Sequence, residues 1–324
     1  MGAAPRPHYD CAMKNLSEFG LIETLFAPLA TMPGAFGLRD DAALIAARDG
    51  YEMIVTTDAI VAGIDFFQGD PARSVAKKAL RVNLSDLAAK GAEPVGYLLT
   101  LMLPDGINES YLKEFTGGLA EDQSRFGVTL LGGDMSSTSG PFSISVTAFG
   151  YVPAGRMVLR SGAREGDGVF VTGTIGDSGG GLALLKEGSH ESGSRLIERY
   201  RVPEPRVAFA PAVRAATASI DVSDGLLADL GHIAETSGVR IVVEAERIPR
   251  SPELIALWGT GTDAIVRAAT AGDDYEIAFT APAPIKGAAM PVTSIGRVER
   301  GTGVVLLDAQ GHEIAVPRAG YRHF

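Results

Sequence analysis

The chain has 324 residues, is 46% hydrophobic and carries a formal charge of −10, which is enough length and apolar content for two packed domains. That acidic balance argues against a nucleic-acid partner, which is held through clustered Lys and Arg, while a single cysteine, Cys11, excludes an intrachain disulfide. Five scattered histidines offer no zinc spacing, no run nears the roughly 18 apolar residues of a membrane span, and the opening MGAAPRPHYD lacks a signal-peptide core, so a cytoplasmic protein is expected.

In chain order, apolar and β-branched runs predict strands at 53–57, 95–103, 128–131 and 142–151. Helical periodicity separates them at 71–90 and 109–126, the first placing Val75, Ala79, Leu80, Leu84, Leu87 and Ala88 near one face. The second half reads as strands at 168–172, 219–222, 240–243, 275–279 and 292–298, with helices at 179–187, 205–217 and 225–237. Between the halves lies the charged, turn-rich stretch 153–167, containing Gly155, Gly162 and Gly166. The expectation is two α+β domains, 1–154 and 155–324.

Aspartates recur at the ends of apolar runs or beside glycine. Asp40 and Asp41 precede an apolar strand in GLRDDAAL, a position open to plain turn chemistry. In IVTTDAIVAG, Asp58 follows Thr56 and Thr57 inside an apolar run, where an unpaired carboxylate is costly to bury and a cation would relieve the cost. Asp86, three residues after Asn83 in RVNLSDLAAKGAEP, is either a ligand or a solvated helix residue. In VTLLGGDMSS a strand runs into Gly132, Gly133 and Asp134, which reads as a turn or as a loop that lets backbone approach a ligand. Asp221 ends a strand in SIDVSDGLLADL, and Ser223 or Asp224 can cap the helix that follows.

Hard carboxylate oxygens with Thr and Ser hydroxyls suit Mg²⁺, which would screen these acids from a triphosphate. The sequence holds no GxxxxGK[ST] loop, no GxGxxG and no protein-kinase HRD or DFG set. GTIGDSGGG, at 173–181, lies between a predicted strand and a predicted helix, and reads as a phosphate-binding helix start or a flexible turn.

Together DDAAL, TTDAIVAG, RVNLSDLAAKGAEP, LLGGD, RSGAREGD, VTGTIGDSGGG, DVSDGLLADLGHIAETSG, GDDYE and the terminal GYRHF resemble the thiamine-monophosphate kinases, in that family's order and over nearly the whole chain. The superfamily also holds aminoimidazole ribonucleotide synthetase and selenophosphate synthetase. The resemblance implies ATP-dependent phosphorylation of thiamine monophosphate with Mg²⁺. It also implies an N-terminal mixed sheet that dimerises into a β-barrel-like centre, and a C-terminal α/β domain that closes on the nucleotide.

By motif, Asp41, Thr56, Thr57, Asp58, Asp86, Asp134, Asp221 and Asp224 match metal ligands, of which Asp58, Asp86, Asp134 and Asp221 carry the catalysis. Gly133, Asp134, Arg160 and Ser223 match nucleotide contacts. Asp65, Asp273 and Tyr321 match the acceptor pocket, with Phe324 as a further aromatic.

Three positions depart from the family pattern. Arg39 stands where the family often has a glycine before the Asp-Asp pair, Asp65 where a histidine is usual, and Asp273 where many relatives carry glutamate. The acidic pair Asp65 and Asp273 suits the cationic rings of thiamine. Selenophosphate synthetase fits less well, since Cys11 sits in the unrelated YDCAMKN. Another ATP-using enzyme of the superfamily and a non-catalytic ATP- and Mg²⁺-binding regulator are the competing readings.

Overall fold

A computed structural model describes residues 17–189, 194–285 and 290–321, so Cys11 and Phe324 lie outside the described residues. In the first half a short helix α1 (Glu18–Leu21) leads through 3₁₀ and π turns to β1 (Tyr51–Val61). Then come α2 (Ala72–Ala89), β2 (Glu93–Leu103), α3 (Glu109–Phe126), β3 (Thr129–Ser137) and β4 (Ser143–Pro153). The four strands form a mixed sheet in the order β1-β4-β2-β3, parallel only between β2 and β3.

Side chains alternate across a strand, so this sheet has two unlike faces. Ile54 and Ile60 of β1, Ile144 and Val146 of β4, and Leu99 and Leu101 of β2 are buried in one apolar core with Val75, Ala79 and Leu80 of α2. On the opposite face Met53, Val55 and Leu98 are exposed.

The second half contains β5 (Gly168–Thr172), α4 (Asp177–Lys186), α5 (Arg195–Arg201), α6 (Ala210–Val213), β6 (Ala218–Asp221) and α7 (Leu226–Ser237). It continues with β7 (Arg240–Glu244), α8 (Pro252–Trp258), α9 (Thr262–Thr270), β8 (Ile277–Ala281), β9 (Val292–Glu299) and β10 (Gly303–Leu307). Its six-stranded mixed sheet runs β10-β7-β9-β5-β8-β6, with β10 and β7 parallel and the other neighbours antiparallel.

Helix α2 joins the halves. Its C-terminal Ala88 and Ala89 enter an apolar cluster with Phe170, Phe209, Val213 and Phe279 of the second half. Arg81 makes a buried two-pronged pair with Asp122 of α3, 2.7 Å at each prong, and donates to the Pro203 carbonyl at 3.0 Å. No helix among the described residues is long and apolar enough to cross a membrane.

Four local expectations change. The apolar stretch after Asp41 is not a strand; it lies beside 33–38, held by the Leu44 amide on the Gly34 carbonyl at 2.8 Å. Asp134 does not mark a turn, because β3 continues through it to Ser137. Helix 205–217 reduces to a 3₁₀ turn and the single turn of α6, with Pro211 near its start removing a backbone donor. Strand β8 begins at Ile277 rather than Tyr275, since Asp273 and Tyr275 hold positive φ values of 65° and 51°.

Candidate active site

A cavity of about 540 Å³ opens between the two halves, with Asp58, Asp86, Arg160, Asp221, Ser223 and Asp224 in its wall. Asp65, Asp273 and Tyr321 line the same cavity. Helix α2 supplies the floor: Lys78, Val82 and Asp86, spaced by four residues and so stacked on one helical face, all reach it.

The acidic groups are held by specific bonds. Thr56 Oγ1 donates to Asp86 Oδ2 at 2.5 Å, and the Asp58 amide donates to Asn83 Oδ1 at 3.0 Å, so β1 is stitched to α2 at both predicted positions. Ser85 Oγ donates to Asp221 Oδ2 at 2.8 Å, which carries the α2 contact across to β6 of the second half. Asp58 reaches solvent, yet loss of water between the cavity walls, then repulsion from Asp86 and from Asp65, push its carboxyl up to about 6. Asp221 is buried at the cavity wall, and burial followed by the Asp86 charge raises it well above the usual carboxylate range. These acids are crowded and dehydrated, a condition that a bound cation would relieve.

Three backbone segments converge behind them. The Asp273 amide donates to the Ser223 carbonyl at 2.8 Å, the Tyr275 amide to the Val222 carbonyl at 2.8 Å, and the Tyr321 amide to the Asp224 carbonyl at 2.9 Å. Gly272 is required for this approach, because a Cβ there would lie 2.4 Å from the Ser223 carbonyl oxygen. Neither Ser223 nor Asp224 caps α7. Asp229, one turn into the helix, turns back and accepts the amides of Ser223, Asp224 and Gly225 on Oδ2 at 3.0–3.1 Å. Burial, then the neighbouring Asp224 charge, raise Asp229 to about 7. Sequence reading passed over Asp229, although its place four residues after Gly225 on a helix start was the available signal.

The GDDYE segment divides its work. Asp273 faces the cavity, while Asp274 is buried and accepts the Gly176 and Ser178 amides at the start of α4 at 2.6 and 3.2 Å. The start of the helix in GTIGDSGGG, read as a phosphate site or a flexible turn, thus already holds an internal carboxylate on two of its amides, while Ser178 and Gly179 line the cavity. Glu276, fully buried, accepts Thr172 Oγ1 at 2.7 Å and pairs with Arg199 and Arg206.

The remaining predicted residues lie elsewhere. A second cavity, of about 610 Å³, sits on the outer face of the N-terminal sheet and is lined by Asp41, Gly133 and Asp134. Thr57, also on that face, donates to the Val146 carbonyl at 3.0 Å and accepts Thr147 Oγ1 at 3.1 Å. Strand register explains the split. Asp58 is aligned through Val146 and Leu99 with Gly133, whereas Asp134 belongs to the next row, with Thr100, Ser145 and Ala59, whose side chains point away from α2. Three strand spacings, roughly 14 Å, also separate β1 from β3. One chain thus gathers Thr56, Asp58, Asp86, Asp221 and Asp224 but not Asp41, Thr57 or Asp134.

Two family models match the chain: AIR synthase related protein, N-terminal domain, over residues 39–152, and the C-terminal domain over residues 164–309. The thiamine-monophosphate kinase of Caulobacter vibrioides is 42% identical over 324 aligned residues, covering 95% of this chain and 91% of that protein. Among solved structures, the thiamine-monophosphate kinase of Stenotrophomonas maltophilia K279a superposes with a TM-score of 0.77 at 39% identity, covering 85% of this chain and 90% of that one. AaThiL complexed with AMPPCP and TMP superposes with a TM-score of 0.78 at 33% identity, covering 98% of this chain and all of that one.

Proposed function

The chain belongs to the thiamine-monophosphate kinase family, and from that premise we propose that it transfers the γ-phosphoryl group of ATP to the phosphate of thiamine monophosphate, giving thiamine diphosphate. The observation that carries this reading is the convergence of Asp58, Asp86, Asp221 and Asp224 with Arg160 and Ser223 on one cavity shared by both halves. A similar fold solved with AMPPCP and TMP supports this pair of substrates.

The donor set fits Mg²⁺: carboxylate and hydroxyl oxygens, two of the acids raised by crowding and lost water. Asp41, Thr56, Thr57, Asp58, Asp86, Asp134, Asp221 and Asp224 are the residues we assign to metal. When bound, Mg²⁺ supplies positive charge between these acids and the phosphates. The chain's own groups do the positioning. Arg160, Ser223 and the close backbone at Gly133 hold the nucleotide, and Asp65, Asp273 and Tyr321 hold the acceptor. The attacking phosphate oxygen is already anionic at neutral pH, so no general base is needed and direct in-line transfer depends on alignment.

The reading divides the chain into an ATP- and Mg²⁺-binding domain, 1–154, and a closing domain, 155–324, in a cytoplasmic enzyme. It also makes the protein a homodimer. The N-terminal sheet leaves Met53, Val55 and Leu98 exposed on the face that carries Asp134, and a second copy packed there would close a barrel-like centre and bury them. Such packing supplies a route by which Asp41, Gly133 and Asp134 of one copy complete the cavity of the other.

The test is chromatography of purified protein with ATP, Mg²⁺ and either thiamine monophosphate or free thiamine. Metal-dependent thiamine diphosphate from the monophosphate alone is expected. Nucleotide binding without phosphorylation of either acceptor would overturn the assignment in favour of another acceptor or a regulatory role.

A further inference from the structure

We propose that Lys78 is the positioning residue of the acceptor pocket, a buried ammonium on the N-terminal half that sets the Asp273 carboxylate of the C-terminal half in place for the acceptor's cationic ring. The inference rests on the acceptor assigned above and adds a residue that no motif singled out.

Lys78 is 1% exposed, in the middle of α2. Its Nζ donates to Asp273 Oδ2 at 3.0 Å and to the Asp65 carbonyl at 2.8 Å, and lies 3.9 Å from the centre of the Tyr200 ring. Tyr200 donates its hydroxyl to the same Asp65 carbonyl at 3.2 Å. The ammonium therefore binds together the turn after β1, helix α5 and the GDDYE loop. All four residues line the active-site cavity.

A buried lysine joining two halves of a chain has a purely architectural reading, in which it is only a strut. Two features favour the positioning role. First, each of its oxygen partners belongs to a residue of the acceptor pocket, and the carboxylate it grips is the one at the departure from glutamate. Second, Asp273 sits at φ 65°, a left-handed conformation that Asp adopts more readily than most residues with side chains, and its carboxylate there is fixed at both oxygens. Lys78 donates to Oδ2 and the Tyr275 hydroxyl donates to Oδ1 at 3.2 Å, while the Asp273 amide is held on the Ser223 carbonyl. Each carboxylate oxygen accepts one such bond and retains a second lone-pair direction for an acceptor N–H or ring cation. The shorter side chain is thus held by a cation where its reach alone would leave its aim unset.

Trp258, the only tryptophan in the chain, lines the same cavity, so binding can be followed apart from turnover by its fluorescence. Full-length wild type, Lys78→Met, Lys78→Arg, Asp273→Asn and the double variant K78M/D273N would be titrated separately with thiamine monophosphate and with AMPPCP plus Mg²⁺, and assayed for KM and kcat. Loss of a charged hydrogen bond predicts acceptor affinity about tenfold weaker in Lys78→Met, with nucleotide affinity kept. The double variant should bind the acceptor no more weakly than Asp273→Asn alone, because Lys78 acts through that carboxylate.

Lys78→Arg keeps the charge but cannot seat a planar fork in the ammonium's place, so it should fall between wild type and Lys78→Met; should Lys78→Met not fold, this variant carries the test. Acceptor affinity unchanged in the folded variants overturns the proposal, and so does a parallel loss of acceptor and nucleotide affinity, the mark of a strut. A wild-type chain that neither binds nor phosphorylates thiamine monophosphate overturns the functional assignment, and this one falls with it.

Discussion

The two faces of the N-terminal sheet carry similar chemistry in opposite states of completion. On the α2 face, Thr56 and Asp58 meet Asn83 and Asp86 within hydrogen-bonding distance, and Ser85 hands the contact on to Asp221. On the outer face, Asp41, Gly133 and Asp134 line a cavity beside exposed Leu98, with neither Asp221 nor Asp224 in its wall. On the proposed reading, the site is written in one chain and folded by it only in part. The α2 face is finished by intrachain packing, and the outer face is the one that a second copy would finish.

The largest effects should come from the finished face. Asp86→Asn and Asp221→Asn should each lower the rate of thiamine diphosphate formation by about a thousandfold, the scale of removing one preorganised charge-stabilising group. Folding should survive, because both replacements remove repulsion from a crowded acidic cluster. Near-normal rates in both variants would break the claim that this face holds the transferring phosphate.

Asp134→Asn should be as inactive, although its carboxylate lies on the other face. The comparison then becomes testable by mixing. Co-expressed Asp86→Asn and Asp134→Asn chains should recover about a quarter of wild-type activity, since half of randomly formed pairs are mixed and each mixed pair has one intact site. Separate inactive chains whose mixture stays inactive would show that both aspartates act within one chain. Leu98→Glu, on the exposed face, should give a folded monomer with little activity, measured by light scattering beside the same assay.

How much of this was legible follows the same division. Local pattern sufficed for α3, whose Asn108 cap, apolar period and terminal Gly127 all agree with the helix formed over Glu109–Phe126. It sufficed as well for β5, a short apolar run between turn signals. It failed for the segment after Asp41, which among the described residues pairs with no strand and is held instead by the Leu44 amide on the Gly34 carbonyl. It also missed α5, α8, α9 and β10, elements of five to nine residues; α9 does carry an amphipathic period, with Ala264, Ile265, Ala268 and Ala269 buried on one face, but over too few turns to stand out.

In the site, the aspartates were visible as motifs, yet their distribution over two faces was not. Face assignment depends on register, and the apolar pattern ends β3 at Leu131, whereas the strand runs on to Ser137. Lys78 was invisible for a related reason, since it works through residues distant in sequence, whereas Asp229, four residues after Gly225 at a helix start, did leave a local signal.

A smaller effect separates the faces by pH. The Asp58 carboxyl, raised to about 6, binds its proton more tightly in the folded chain than in the unfolded one. Between about pH 4 and 6 the folded state therefore holds the extra proton, and this group's contribution to stability falls as pH rises through that window. Mg²⁺ competes with the same proton, so the rise in melting temperature on adding Mg²⁺ should be small at pH 5 and several degrees larger at pH 7.5. Asp58→Asn should flatten that dependence. An equal Mg²⁺ effect at both pH values would place the ion away from Asp58.

The smallest expected effect concerns Arg39, beside the Asp-Asp pair on the outer face. Asp40 accepts the Asp41 amide at 2.8 Å, and both aspartates line the cavity on that face. Arg39 itself pairs with Glu23 at 3.2 Å, and both side chains are more than 70% exposed. An ion pair of that kind contributes about 0–1 kcal/mol and is screened by salt. Arg39→Gly should therefore shift the melting temperature by less than about 3 °C and leave the KM for ATP unchanged. A several-fold rise in that KM, lost at high salt, would instead show Arg39 leaving Glu23 for a phosphate. Because Arg39 stands on the outer face, that result would put the nucleotide within reach of it and strengthen the case that two copies build one site.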